Sequence, residues 1–157
     1  MQNDLMLRDA LKAGVYPQPI GSVGVAMVDI RDIADAVVAE LLRRERAPHP
    51  LPRTTIELVG PDTLTGAEIA AIWASVLGQD VRYGGDDLAT YESQVAARMP
   101  GWMAHDFRVM LRAFHRFGMI PGKDSRATFE ALIGHPLRSY RAFAEEAAAN
   151  WVSGTGP

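Results

Sequence analysis

Along the chain, apolar residues recur mostly at helical spacing, and only three short stretches have strand character. Leu5, Leu7 and Leu11 predict a short helix over 5–13, stopped by Gly14 and kept from continuing by Pro17 and Pro19. Gly21, Ser22 and Gly24 predict a turn, and Val23–Asp29 reads as a short apolar strand. Asp29 at the cap and Asp32 in the first turn then open a helix with Ile33, Val37 and Leu41 on one face, widened by Ala34, Val38 and Leu42. Its acidic start and its basic end (Arg43, Arg44, Arg46) both suit the helix dipole.

Three prolines between Ala47 and Arg53 predict a loop, too short to separate domains. Thr54–Val59 is a β-branched strand ending at Gly60–Pro61. Thr65 and Glu68 have capping-box spacing ahead of Ile69, Ile72, Trp73, Val76 and Leu77, a helix that Gly78 stops. A further strand is expected over Asp80–Tyr83. Four helices follow: one capped by Asp86 or Asp87 and running toward Met99, one over Trp102–Phe117, one from Asp124 or Ser125 to Ile133, and one capped by Ser139. Tyr140, Phe143, Ala147 and Trp151 share a face of the last. The expected fold is a helix-rich α/β domain over 1–157, with an α/β segment (1–85), a helical segment (86–152) and a frayed tail (153–157).

Composition narrows the chemistry. With 48% hydrophobic and 22% charged residues the chain suits a folded domain, and with no cysteine it has neither disulfides nor thiolate metal sites nor a cysteine nucleophile. A net charge of −3 argues against a dedicated nucleic-acid binder. No apolar run reaches the ~18 residues a membrane span needs. The expectation is a soluble cytoplasmic protein without nucleic-acid or membrane partners.

Familiar catalytic patterns are missing. Gly21-Ser22-Val23-Gly24 precedes a strand and lacks dinucleotide-fingerprint spacing, and Gly84–Gly85 has no third glycine. No lysine follows a tyrosine by four positions, and no serine sits in a nucleophile elbow. The four histidines (His49, His105, His115, His135) form no metal motif and read as surface or partly buried. Asp29, Asp32 and Asp35, with Arg31 beside them, read as caps and a solvated helix start. Arg108, Arg112 and Arg116 lie one turn apart, either as a solvated face or as a site for an anion or acidic partner. Trp102, Met99 and Met103 read as core, with Trp102 and His105 kept as pocket candidates.

The segment Val25-Ala-Met-Val-Asp-Ile-Arg-Asp-Ile-Ala-Asp-Ala-Val resembles the strand-to-helix passage of NmrA-like proteins and other atypical short-chain dehydrogenase/reductases. Thr54-Thr-Ile-Glu-Leu-Val-Gly-Pro-Asp-Thr-Leu-Thr-Gly-Ala-Glu-Ile-Ala resembles their late sheet strand, Gly-Pro turn and capped helix. Leu77-Gly-Gln-Asp-Val-Arg-Tyr and Gly134-His-Pro-Leu-Arg-Ser-Tyr-Arg-Ala-Phe continue the likeness, and Met1-Gln-Asn resembles the family's Met-x-Asn segment. The resemblance implies NAD(P) as the family's cofactor, and reductases, nucleoside-diphosphate-sugar epimerases or redox sensors as its activities. The family's glycine-fingerprint Rossmann unit has no counterpart in this sequence.

The resulting expectation is a substrate-side domain that holds no cofactor or catalytic residue by itself. Its expected substrate contacts are Asn3, by the resemblance, and Met27, Trp102 and His105. Thr54–Val59 would lack its sheet, so a homo-oligomer or a Rossmann-domain partner chain is expected to cover it. The alternatives are an interaction module working through Arg108, Arg112 and Arg116, and an enzyme completed in trans.

Overall fold

The computed structural model describes residues 1–153, and residues 154–157 of the tail expected to fray lie outside them. A 3-10 helix (Gln2–Leu7) leads into α1 (Arg8–Lys12), so the first predicted helix is split by a change of pitch. Gly14 (φ +80°) turns the chain into β1 (Val15–Tyr16), which the sequence pattern did not announce. β1 pairs in parallel with β2 (Arg82–Tyr83), Val15 opposite Arg82 and Tyr16 opposite Tyr83. This is the sole ladder among the described residues. The helices are α2 (Ile30–Glu45), α3 (Gly66–Leu77), α4 (Leu88–Ala96), α5 (Gly101–Phe117), α6 (Ser125–Ile133) and α7 (Tyr140–Ser153). The helix-rich α/β class and the order of helices are as expected.

The local signals act through their predicted chemistry. The Asp29 carboxylate accepts from the Arg31 N–H, Asp87 accepts from the Ala89 and Thr90 N–H groups, and Thr65 and Glu68 complete a capping box. The Ser139 hydroxyl accepts from the Ala142 N–H (3.1 Å) at the start of α7. At α6 the cap arrives from elsewhere: Asp124 makes no side-chain cap, and Glu57 receives the Gly122 N–H (3.1 Å) and the Ser125 hydroxyl.

The main core lies between the first turns, the small sheet, α3 and α7. Trp73 stacks on Trp151 (5.1 Å between centroids, 9° between planes) and meets Tyr140 and Phe143 edge-on. Tyr140, Phe143, Ala147 and Trp151 are all buried, as their shared face predicts. A smaller cluster gathers Ala36, Phe129 and Leu137 between α2 and α6.

Two predicted strands are not ladders. Val23–Asp29 is a connector whose sheet-like pairing is confined to single bridges from Val25 to Leu64 and to Met119. Thr54–Val59 pairs with no strand among the described residues. A strand needs a neighbour to satisfy its backbone, and apolar β-branched composition cannot supply one. The broad face of α2 also departs from expectation. Ile30, Val37, Val38, Leu41 and Leu42 are 58, 50, 55, 63 and 39% exposed, and the helix packs through the opposite side, Asp32 and Ala36, toward α6.

Candidate functional site

α5 carries the candidate wall. Ala104 and Leu111 are buried, whereas Trp102 (66% exposed), Val109, Met110 and Phe117 (63%) stand outward along the other side. Trp102 is therefore an exposed aromatic and not core, because the α5 surface turned inward begins at Ala104. His105 sits one turn from Trp102, its Nδ1 3.3 Å from Glu92 of α4. Arg108 pairs with the same carboxylate (2.9 Å), and Arg116 lies over the Phe117 ring (4.9 Å to its centroid). Arg112 makes no ion pair among the described residues, so the three arginines differ in their freedom. Asn3 is exposed on the 3-10 helix, and Met27 is half-buried against the main core in the connector. Trp102 and His105 are thus neighbours, while Asn3 and Met27 lie on separate elements. Two surface grooves lie elsewhere, of about 470 Å³ between α3 and α7 beside Ser75 and Arg141 and of about 230 Å³ beside Leu5 and Phe143.

A polar junction joins α5 to the loop after β1. Asp86 accepts the Gly21 N–H (3.0 Å) and the Tyr83 hydroxyl. His115 Nε2 is 2.7 Å from the Pro19 carbonyl and 3.4 Å from Asp86. A carbonyl can only accept, so it is His115 Nε2 that donates in this contact. Gly21 has φ +83°, and a Cβ there would meet the His115 ring at 2.8 Å, so glycine is required by both backbone and space. Burial and then Asp86 raise the Tyr83 phenol well above its usual range, keeping it a neutral donor. The sequence offers Asp86 only as an alternative to Asp87 for the helix cap, and His115 belongs to no motif, so nothing in it announces this group.

The acidic start of α2 is also not what its spacing suggested. Asp32 is fully buried, accepting from the Arg138 N–H (2.9 Å) and guanidinium, and is not solvated. Asp35 shares that guanidinium (3.0 Å) and meets His135 Nε2 (3.2 Å). Although Asp32, Asp35 and His135 converge closely enough to bind a metal, Arg138 already supplies the cation there. Asp29 binds Arg31 through two contacts (3.0 and 2.8 Å). Burial pushes its carboxyl up, but the Arg31 hydrogen bonds outweigh it and hold it at about 2.

A third acid is buried in the main core. Asp4 accepts the hydroxyls of Tyr140 (2.5 Å) and Tyr16 (3.2 Å), and Tyr140 in turn accepts from the Trp73 indole (2.9 Å). Burial raises the Asp4 carboxyl above its ordinary value in spite of the two donated hydrogen bonds.

The N-termini of α2, α3, α4 and α6 are poor pyrophosphate seats. A dinucleotide cradle needs free N–H groups and positive potential at a helix start. Carboxylates occupy these positions instead: Asp29 and Asp32 at α2, Glu68 at α3, Asp87 at α4 and Glu57 at α6. α5 begins after Pro100, and Ser139 serves α7. The four carboxylate-occupied starts do not fit a bound dinucleotide phosphate. No helix among the described residues is long and apolar enough to cross a membrane.

No protein-family model matches the chain. The chain is 29% identical over 154 residues to the NAD(P)H azoreductase of Xenophilus azovorans, a match covering 95% of this chain and 50% of that protein. Its fold is similar to that of the Citrobacter sp. triphenylmethane reductase complexed with NADP(H) (TM-score 0.72, 21% identity, 91% of this chain and 48% of that one). It is likewise similar to the NADPH-dependent quinone oxidoreductase of Escherichia coli (TM-score 0.74, 22% identity, 96% and 51%). A third likeness is to a nucleoside-diphosphate-sugar epimerase of Staphylococcus aureus (TM-score 0.71, 16% identity, 92% and 48%). The chain thus spans about half the length of the proteins it matches and shares the fold of that half.

Proposed function

We propose that this chain is the substrate-side part of an NAD(P)H-dependent reductase related to NmrA-like proteins, catalytically silent until a nucleotide-binding unit joins it. The observation that carries this reading is the uncovered side of the molecule. The apolar stripe of α2 is roughly 140° wide at the helical period, broad enough to lie on a sheet and wider than a coiled-coil seam. Thr54–Val59, which pairs with no strand among the described residues, leaves a backbone edge that another strand can pair with. The half-length match to an NAD(P)H azoreductase supports the same division. The carboxylates at the helix starts support a cofactor held by the joining unit.

Within this reading the exposed α5 residues form one wall of a cleft for a flat conjugated electron acceptor, the class named by the azoreductase, quinone oxidoreductase and triphenylmethane reductase relatives. Trp102 offers a stacking face and Met110 and Phe117 extend it. His105 stands at its edge, and Asn3 and Met27 are proposed as further contacts. These residues bind and orient. The reductant is the cofactor, which the joining unit supplies.

Fluorescence titration tests the proposal. A naphthoquinone or an azo dye quenches the exposed Trp102 in a saturable manner, Trp102→Phe removes that component, and NADPH added to the chain alone gives no saturable signal. Saturable NADPH binding by the chain, or acceptor quenching that survives Trp102→Phe, overturns it.

A further inference from the structure

We propose that α4 and α5 form a hinged lid, latched against the loop 17–24 by Asp86 and His115. The two helices pack on one another more closely than either packs on any other helix, with the turn at Pro100 between them. Both ends of the pair meet firmly anchored backbone. On the entry side, the Gly84 N–H donates to the Tyr16 carbonyl (2.9 Å), extending the sheet. On the exit side, the Met119 N–H donates to the Gly24 carbonyl and the Ala26 N–H to the Met119 carbonyl (both 3.0 Å).

Immediately inside each anchor is a glycine at positive φ, Gly85 (+92°) and Gly118 (+66°). A Cβ at Gly85 would meet nothing within 4 Å, so the entry end has room to rotate, whereas one at Gly118 would meet the Gly24 carbonyl at 2.6 Å, so the exit end is the tight pivot and the larger movement falls at Gly85. Hinges of this kind absorb backbone rotation at a few element-terminal residues.

The latch lies beside the hinges. Asp86, one residue past Gly85, receives the Gly21 N–H, and His115, three residues before Gly118, reaches the Pro19 carbonyl. Opening breaks these bonds and withdraws Leu111 and the half-buried Phe114, Leu88 and Tyr91 from the main core, so the closed lid is the resting state. Little else resists: α4 has no fully buried residue and α5 has only Ala104 and Leu111. Elements with so little burial open at lower free energy than the whole fold. That the lid covers a substrate cleft rests on the reading above; its motion does not.

Native-state hydrogen exchange on the unliganded chain tests the lid. Once lifted from the main core the pair loses the packing that keeps its short helices formed, so the amides of α4 and α5 exchange as one group, at least about tenfold faster than those of α3 and α7. His115→Phe, which keeps a ring against Gly21, and Asp86→Ala accelerate that group further and leave α3 and α7 unchanged. Exchange of α4 and α5 at the rate of α3 and α7 in the wild-type chain overturns the proposal even if a variant fails to fold, as does uniform acceleration across all four helices. Because no ligand enters this experiment, its failure would leave the acceptor and NADPH titrations standing.

Discussion

The α3–α7 side and the α2 side of this protein both carry apolar residues at helical spacing, and they meet opposite fates. Trp73, Tyr140, Phe143 and Trp151 close on one another and exclude water, whereas Ile30, Val37, Val38, Leu41 and Leu42 remain open along α2. Periodicity tells which face of a helix is apolar, but the cover must be found in space. On the first side the cover is another helix of the same chain. On the second, α6 takes only the narrow strip at Asp32 and Ala36. One side of the molecule covers its own apolar face, and the other leaves one exposed.

Substitutions sharpen this contrast. Trp73→Ala leaves a cavity in the aromatic cluster and is expected to cost about 3–5 kcal/mol in chemical denaturation followed by circular dichroism. Leu41→Ala on the open stripe is expected to change stability by about 0.5 kcal/mol or less, and equal losses at the two positions would erase the distinction. Arg138→Ala comes between them, because the buried Asp32 loses its cation and keeps its place; a loss of about 2 kcal/mol is expected in the same assay.

Acid titration separates the two sides by sign. Asp29 is held at about 2 in the folded chain, below its unfolded value, so its contribution is present above the ordinary carboxylate range and is lost as pH falls toward 2. Asp4 moves the other way: its folded carboxyl is raised, so its contribution is full below the unfolded value and is lost as pH rises through the folded one. Stability measured from pH 2 to 7 should lose part of its acid sensitivity in Asp29→Asn. In Asp4→Asn the decline with rising pH is removed, and an unchanged profile in either variant would refute that assignment.

Much of the fold was legible because it is local. Caps at Asp29, Thr65 and Asp87 and glycine stops at Gly78 and Gly134 work through backbone groups a few residues away. Thr54–Val59 and Val23–Asp29 were misread because strand composition is local and pairing is not. Asp32 was placed in solvent because its partner, Arg138, is 106 residues further along the chain. The Gly21–Tyr83–Asp86–His115 junction escaped for the same reason, since it joins three separate segments and repeats at no interval. Trp102 was assigned to core from spacing alone, and only the packing of α5 through Ala104 and Leu111 shows that it points outward.

Sedimentation velocity on the wild-type chain and on a Val37→Glu/Leu41→Glu variant tests most directly whether the α2 side is an unfinished interface. The account predicts that the wild-type chain associates at micromolar concentration and that the variant sediments as a monomer with unchanged thermal stability. A wild-type chain that remains strictly monomeric across that range would contradict it.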